Sequence, residues 1–291
     1  MRQDHTFNGT FGDFHYIDWG GTGPLVHFTH ATGFCAGMYT PFVEKLLPAL
    51  HILGMDIRGH GKTRVPADPG RLKDWDIFAD DLEHFFSSLD EPVISMGHSR
   101  GAIESLVVAI RRPDLVRALI LMDPTIIPLF WKWPWLLVKK TGLTRFVPMA
   151  AQAIRRKRVW PDREKILAAY RGKQVFNDWQ EGFLEAYVTE GTEETGQGDI
   201  KLCCEPEWEY QCFITCPHDV WAYVGKLQQP TLVLYGSDSY ALKPSAIKRL
   251  KKILPNADFR CLKETGHFLP LEKPDEVATL TVEFLKENKI I

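Results

Sequence analysis

Short apolar segments recur along the chain, each four or five residues long and bounded by turn-forming residues. They cover residues 25–29, 51–55, 92–96, 118–122, 231–235 and 259–262. Continuous apolar runs of this length are typical of strands that are buried on both faces of a parallel sheet. Two earlier segments, residues 7–11 and 14–19, are separated by Gly12 and Asp13 and predict an antiparallel pair that opens the sheet.

Helix-length segments lie between the apolar runs. The clearest covers residues 75–89, where large apolar side chains recur with i, i+3 and i+4 spacing, as in an amphipathic helix. These side chains are Ile77, Phe78, Leu82, Phe85, Phe86 and Leu89. Because strands alternate with helices, we predict an α/β fold with a mostly parallel, doubly wound sheet of about eight strands.

The alternation stops in the middle of the chain. Between about residues 124 and 225 the strand signals vanish, and helical segments rich in tryptophan replace them. We therefore predict a helical cap inserted after the sixth strand. The core domain then consists of residues 1–123 and 226–291, and the cap consists of residues 124–225.

Charge divides the predicted cap into two parts. Residues 132–173 contain twelve lysines or arginines and two acids, whereas residues 178–219 contain eleven acids and one lysine. One interpretation is that the two solvated faces attract each other within the cap. The other is that the basic part binds an acidic partner.

The overall composition excludes several classes of protein. The 291 residues are 45% hydrophobic, and the 35 basic residues nearly balance the 37 acidic ones, so no global charge attracts nucleic acid. The N-terminus has no apolar signal core, and no segment reaches the ~18 apolar residues of a membrane span. We expect a cytoplasmic protein without stable membrane insertion. Whether it forms a homodimer is a question that the sequence leaves open.

Six cysteines without a secretory signal predict reduced thiols. Four of them, Cys203, Cys204, Cys212 and Cys216, are clustered, but they lack the paired C-x2-C spacing of a zinc site. The nearby His218 does not complete such a site, and we predict no bound metal.

Residues 97–101 read Gly-His-Ser-Arg-Gly and fit the pattern G-x-S-x-G. The pattern lies between a predicted strand and a predicted helix, where a tight turn forces Ser99 into a strained conformation and the flanking glycines avoid collisions. Such a turn exposes the Ser99 hydroxyl as a nucleophile. It also places the N–H of Arg100 at a helix N-terminus, where it can stabilise an oxyanion.

With this motif the chain resembles the α/β-hydrolase family, and further motifs extend the resemblance over nearly all of the chain outside the cap. Residues 30–34, His-Ala-Thr-Gly-Phe, are similar to the family's H-G-x segment, which implies that Thr32 donates the second oxyanion N–H, with Ala31 as a fallback. Residues 56–63 resemble its D-x-R-G-x-G-x-S turn, in which we expect Asp56 and Arg58 to pair. We interpret His60 in this turn as structural.

The general base is assigned to His267. Residues 265–274, Thr-Gly-His-Phe-Leu-Pro-Leu-Glu-Lys-Pro, follow the last predicted strand and are similar to the family's segment that contains the catalytic histidine. An imidazole suits this role because its pKa lies near working pH, so it can take the Ser99 proton and return it to the leaving group.

The acid that orients this histidine has two candidates. Family members usually place it after the seventh strand as G-x-x-D, but counting from Gly236 this slot holds Ser239, with Asp238 one residue early. A minority, such as haloalkane dehalogenases, place it at the end of the sixth strand, where this chain has Asp123 followed by Pro124. Pro124 favours an extended residue before it. We assign Asp123 as the acid and keep Asp238 as the alternative.

A serine nucleophile implies acyl-enzyme chemistry. Dehalogenases and epoxide hydrolases of this fold need a carboxylate at position 99, because their intermediate is an alkyl ester. The resemblance therefore implies a carboxylic-ester hydrolase that needs no cofactor and acts on a small-molecule ester with an apolar acyl group. The alternatives are hydrolysis of a C–C bond or a lactone by the same triad, or a small-molecule receptor on the same fold.

Aromatic residues crowd the start of the predicted cap, in residues 128–138. They could form an apolar funnel for an acyl chain or attach the cap to the core. They could also form an interfacial anchor that is flanked by Lys132, Lys139 and Lys140. Cys35 and Tyr39, which follow the predicted oxyanion loop, are expected to line the pocket.

Overall fold

The computed structural model describes residues 1–217 and 219–291, with Arg145 described by its backbone only. Its main sheet has eight strands, in the spatial order β1-β2-β4-β3-β5-β6-β10-β11, which confirms the predicted number. The strands are β1 Gln3–Gly9, β2 Gly12–Gly20, β3 Leu25–Thr29, β4 His51–Met55, β5 Val93–His98, β6 Val116–Met122, β10 Thr231–Gly236 and β11 Asp258–Leu262. Only the pairings of β2 with β1 and with β4 are antiparallel.

Helices cover both faces of this sheet. They are α1 Thr40–Val43, α2 Asp76–Ser87, α3 Arg100–Arg111, α9 Pro244–Ile253, α10 Leu269–Glu272 and α11 Pro274–Glu287. Along β6, Ala118 and Ile120 belong to one hydrophobic cluster and Leu119 and Leu121 to the other. Since side chains alternate along a strand and both faces are buried here, the central strands are apolar at most positions. This is the origin of the continuous apolar runs in the sequence.

The segment between β6 and β10 contains the helices α4 Lys132–Thr141, α5 Pro148–Ala153, α6 Arg163–Tyr170, α7 Phe183–Glu190 and α8 Pro206–Ile214. It also contains a small sheet that the sequence analysis did not predict. Its strands are β7 Val159–Trp160, β8 Thr192–Glu194 and β9 Ile200–Leu202. Strands of two or three residues are too short to show a periodic pattern. We refer to residues 124–225 as the cap.

Ion pairs join the basic and acidic parts of the cap. The pairs are Arg156–Glu209, Arg158–Glu207, Arg163–Glu194 and Arg171–Glu185. Attraction between the two parts, the first of the two interpretations, accounts for these arginines. None of the four pairs involves the lysines at the start of the basic part.

The predicted pairing of Asp56 with Arg58 is wrong. The Asp56 carboxylate lies 2.7 Å from Nδ1 of His15 and accepts the backbone N–H of Ala36 and Lys62, both at 2.8 Å. Arg58 instead forms a buried bidentate pair with Asp81 of α2, at 2.6 and 2.8 Å. The tight turn points the two side chains in different directions, so each binds a partner that is distant in sequence.

All six cysteines are free thiols, and Cys204, Cys212 and Cys216 are buried. Among the described residues, no three histidine, cysteine or carboxylate side chains are grouped so that they could hold a metal ion. His218 lies outside the described residues. In the described part of the chain, no helix is both long and apolar enough to cross a membrane.

Candidate active site

The turn between β5 and α3 presents Ser99. Its backbone has φ 58° and ψ −114°, a conformation that residues with a side chain rarely adopt. A Cβ atom at Gly97 would collide with the backbone of Gly101, and one at Gly101 would collide with the carbonyl of Thr29. Both flanking positions therefore require glycine, as the sequence pattern predicts. The turn leaves the Ser99 hydroxyl above the carboxyl edge of the sheet.

Strand register places Ser99 beside Asp123. His98, the last residue of β5, pairs with Met122, the last residue of β6, so the two following residues leave the sheet together. The N–H of Ser99 donates to the Met122 carbonyl at 2.9 Å, and the N–H of Asp123 donates to the Leu234 carbonyl at 2.8 Å. Three neighbouring strands thus hold the two backbones in place.

The side chains of Ser99, His267 and Asp123 form one hydrogen-bonded row. Nε2 of His267 lies 2.9 Å from Oγ of Ser99, and Nδ1 lies 2.6 Å from Oδ2 of Asp123. Nδ1–H of His267 donates a hydrogen bond to the Asp123 carboxylate, so Nε2 carries no proton and can accept the Ser99 hydroxyl proton. All three side chains are buried, with 8% of Ser99 exposed, 3% of His267 and none of Asp123.

Asp238, the alternative acid, does not reach this row. Its side chain is exposed and accepts the hydroxyl of Ser237 at 3.2 Å, while its N–H donates to the carbonyl of Thr265. Ser239 lies in the slot where the resemblance places an acid, and its hydroxyl donates to Oδ2 of Asp123 at 2.5 Å. The same carboxylate oxygen therefore binds both His267 and Ser239. Of the two candidate acids, the structure brings only Asp123 to the histidine.

The expectation that Pro124 keeps Asp123 extended is wrong. Asp123 has φ 44°, in the left-handed region. Aspartate tolerates this region better than most residues with a side chain, and a following proline disfavours the right-handed helical region. Hydrogen bonds hold Asp123 in this conformation. Its backbone N–H donates to the Leu234 carbonyl, and Oδ2 of its side chain is bonded to Ser239 and His267.

Two buried histidines hold the predicted oxyanion loop, residues 30–33. Nδ1 of His30 donates to the Ala31 carbonyl at 2.8 Å, and its Nε2 accepts the N–H of Ile57 at 3.0 Å. Nε2 of His60 accepts the N–H of Gly33 at 3.1 Å. Burial lowers the pKa of His30 to about 4 and that of His60 well below its usual value, so both rings are neutral and can accept. His60 thus has a structural place in the fold.

Tyr39 and His98 connect this loop to the backbone of His267, a link that the sequence did not reveal. The N–H of Ala31 donates to the Tyr39 hydroxyl at 3.4 Å, which donates to Nδ1 of His98 at 2.7 Å. Nε2 of His98 then donates to the carbonyl of His267 at 2.9 Å. Tyr39 and Cys35 are buried beneath the loop and do not line the cavity, contrary to our expectation.

Arg100 begins α3, so its N–H has no carbonyl partner inside the helix. Its side chain points away from Ser99 into the protein, where Nη1 lies 2.8 Å from Oε1 of Glu104 and the guanidinium stacks on Phe78 at 4.4 Å. Both charged groups are at least 99% buried. Among the described residues neither group has a well-directed hydrogen bond, so Arg100 and Glu104 form a desolvated ion pair.

Replacing both members of this pair, in the variant Arg100→Met with Glu104→Leu, is expected to raise the free energy of unfolding by about 1–4 kcal/mol. Burial raises the pKa of Glu104 from 4.5 to about 7, against the opposing charge of Arg100. Between these values the folded state binds more protons than the unfolded state, so rising pH destabilises the natural protein. The increase in the free energy of unfolding that the double variant shows over the natural protein should therefore be larger above pH 7 than near pH 4.5. Urea unfolding at both pH values measures it.

The single variant Glu104→Gln is the matched control. It leaves the Arg100 charge buried without a counter-charge and is expected to lower the free energy of unfolding by about 3–5 kcal/mol. A double variant that is less stable than this single variant would contradict the prediction.

The row opens into a cavity of about 540 Å³ between the core and the cap. Its lining includes Thr32 beside Ser99 and His267, and Thr125, whose hydroxyl lies 3.1 Å from Oγ of Ser99. The other lining side chains are mostly apolar and come largely from the cap: Ile126, Ile127, Pro128, Phe130, Trp131, Trp135, Val147, Met149 and Phe213. Among the described lining residues, Lys243 is the one lysine or arginine.

The fold and this arrangement define a hydrolase. Residues 25–280 match the model of the Alpha/beta hydrolase family, and the chain belongs to that family.

Its relatives catalyse different hydrolyses. The chain is 25% identical to haloalkane dehalogenase 2 of Mycobacterium tuberculosis, over 95% of this chain and 93% of the relative. It is 22% identical to the sn-1-specific diacylglycerol lipase ABHD11 of Mus musculus, over 94% of this chain and 84% of the relative. The solved structure of E-2-(acetamidomethylene)succinate hydrolase is 17% identical with a TM-score of 0.80, and the match covers 98% of this chain and 100% of that chain.

Proposed function

We propose that this protein is a carboxylic-ester hydrolase that works through an acyl-enzyme and prefers small to medium apolar acyl groups. The observation that carries the proposal is the hydrogen-bonded row of Ser99, His267 and Asp123 at the inner end of an apolar cavity. In this proposal Ser99 is the nucleophile, His267 the general base and Asp123 the orienting acid. The backbone N–H groups of Thr32 and Arg100 form the oxyanion hole.

The reaction has two halves. Oγ of Ser99 attacks the ester carbonyl carbon while its proton moves to Nε2 of His267, and the carbonyl oxygen gains the negative charge that the two N–H groups stabilise. The C–O bond to the alcohol then breaks, and His267 returns the proton to the departing alcohol oxygen. Water repeats these steps on the acyl-enzyme and releases the carboxylic acid. Asp123 holds the histidine tautomer throughout.

Two features of the chain separate it from two of the activities that its relatives' names state. Haloalkane dehalogenation on this fold needs a carboxylate nucleophile, whereas position 99 is a serine. A succinate derivative carries carboxylates, but Lys243 is the one lysine or arginine among the described residues that line the cavity. An uncharged acyl group suits this lining better, and the name of the mouse relative, a diacylglycerol lipase, supports ester hydrolysis.

The proposal is tested with p-nitrophenyl esters of acetate, octanoate and hexadecanoate. We expect turnover of the acetyl and octanoyl esters, with kcat/KM highest for octanoate, because the cavity is apolar and its volume is limited to about 540 Å³. Mass spectrometry of the acid-quenched protein should locate the acyl group on Ser99. Hydrolysis of a lactone or of a C–C bond in a vinylogous diketone, with every ester left intact, would contradict the proposal and favour those alternatives. Binding of such compounds without turnover would favour a receptor.

A further inference from the structure

The helix α4 and the three residues before it have one face against the cap and another exposed to solvent. On the inner face, Nε1 of Trp135 donates to the Cys216 carbonyl at 3.1 Å, and Nζ of Lys139 donates to the Thr215 carbonyl at 3.1 Å. These residues are four apart and lie on the same side of the helix. The opposite side has no comparable anchor and carries Trp133, Leu137 and Lys140.

Large apolar side chains are exposed on this outer side and in the residues just before α4. The exposed fraction is 66% for Phe130, 53% for Trp131, 74% for Trp133 and 62% for Leu137. We call these four side chains, with Lys132 and Lys140, the α4 patch. Four exposed apolar side chains within eight residues are a concentration that marks an interaction surface.

The two lysines of the α4 patch take no part in the ion pairs that join the basic and acidic parts of the cap. Four arginines of the cap pair with its acidic part, and Lys139 is bound to Thr215. Within the described residues, no carboxylate lies at ion-pair distance from Lys132 or Lys140. The ammonium of Lys132 lies 5.9 Å from the ring of Trp133, so charge and indole share one surface.

The α4 patch is continuous with the catalytic cavity. Phe130 and Trp131 line the cavity that contains Ser99, and both are more than half exposed at its mouth. A chain that leaves an apolar phase at the α4 patch therefore reaches the nucleophile along apolar side chains, without crossing water.

We propose that the α4 patch docks the protein on the surface of a bilayer that contains anionic lipids, and that the substrate is an acyl ester held in that bilayer. Indole and phenyl rings are favoured at the depth of the headgroups, and lysines beside them attract anionic lipids. A second copy of the chain fits less well, because a two-fold contact through this patch would bring the same unpaired lysines together. The choice of substrate rests on the proposed esterase activity, whereas the docking does not.

Docking is measured with the variant Ser99→Ala, so that no lipid is consumed. Vesicles of phosphatidylcholine, with or without phosphatidylglycerol, are incubated with this protein and recovered by flotation. We expect binding to the anionic vesicles to be about 25-fold stronger than to the neutral ones, because each of the two lysines near an anionic surface contributes about fivefold. Equal binding to both kinds of vesicle would overturn the proposal.

Two sets of substitutions test the patch itself in the same assay. Trp133→Ser with Leu137→Ser should weaken binding at least about tenfold, from the loss of buried apolar area. Lys132→Glu with Lys140→Glu should remove the preference for anionic vesicles. The control Phe11→Ser removes an exposed aromatic side chain of the core domain and should leave binding unchanged. Thermal unfolding confirms that each variant is folded.

Activity separates the docking from the proposed function. With Ser99 restored, the variant Trp133→Ser with Leu137→Ser should hydrolyse p-nitrophenyl acetate in solution at the natural rate and lose activity on an ester embedded in anionic vesicles. Vesicle binding without turnover of any ester would leave the docking standing and contradict the esterase. Binding that survives both pairs of substitutions overturns the docking. A contact between copies of the chain would replace the docking under a different set of results. The natural protein would then be dimeric by sedimentation and would not bind vesicles, and the variant Trp133→Ser with Leu137→Ser would be monomeric.

Discussion

Ser99→Ala is expected to lower kcat for ester hydrolysis by about 10^6-fold, by analogy with serine proteases, in which loss of the nucleophile alone removes most of the rate enhancement. The substitution removes the one hydroxyl that contacts Nε2 of His267, at 2.9 Å, and leaves the backbone of the turn in place. Steady-state kinetics with p-nitrophenyl octanoate measure the loss. Circular dichroism checks that the fold is unchanged.

Thr125 provides the matched control for this variant. Its hydroxyl lies 3.1 Å from Oγ of Ser99, and the residue lines the same cavity. Among the described residues, the side-chain nitrogens of His267 bond to Asp123 and Ser99 and not to Thr125. Thr125→Val should therefore cost about tenfold, the value of one hydrogen bond. If Thr125→Val abolished the reaction while Ser99→Ala retained it, the assignment of the nucleophile would be wrong.

The sheet could be predicted from the sequence because its central strands are buried on both faces. Residues 25–29 and 51–55 coincide with the observed strands β3 and β4, and the other central strands differ by only a few residues at their ends. The same local signals located the turn at Ser99, since the glycines there are required by backbone collisions. The small sheet of the cap was harder to predict, because its strands of two or three residues leave no periodic signal.

Contacts between distant residues were the part that sequence could not supply. The link from Ala31 through Tyr39 and His98 to His267 includes one hydrogen bond between residues 169 positions apart, and no local pattern marks it. The pairing of Arg58 with Asp81 instead of Asp56 is a similar case, because the choice depends on where α2 packs. The bond from Ser239 to Asp123 likewise exists only because β10 lies beside β6.

Asp123→Asn is expected to lower kcat by about 10^4-fold, the cost of losing the orienting acid in serine proteases. An amide at this position no longer requires a proton on Nδ1 of His267, so the tautomer that accepts the Ser99 proton at Nε2 is not favoured. The control is Asp238→Asn, which should leave kcat unchanged because the Asp238 side chain is exposed and bonds only to Ser237 among the described residues. If only the second substitution reduced kcat, Asp238 would be the acid.

Exchanging the two residues that meet at this point, in the variant Asp123→Ser with Ser239→Asp, should recover much of the activity that Asp123→Asn loses. The Ser239 hydroxyl lies 2.5 Å from Oδ2 of Asp123, which in turn lies 2.6 Å from Nδ1 of His267. An aspartate at position 239 can extend a carboxylate oxygen toward the place that Oδ2 occupies, and a serine at position 123 can donate to it. We expect kcat about 10^2-fold below the natural value, because a misplacement of about 1 Å costs that much. The comparison of kcat for Asp123→Ser alone with the exchange variant measures the rescue. An exchange variant no faster than Asp123→Ser would show that the backbone at position 123, with its φ of 44°, is needed to aim the carboxylate.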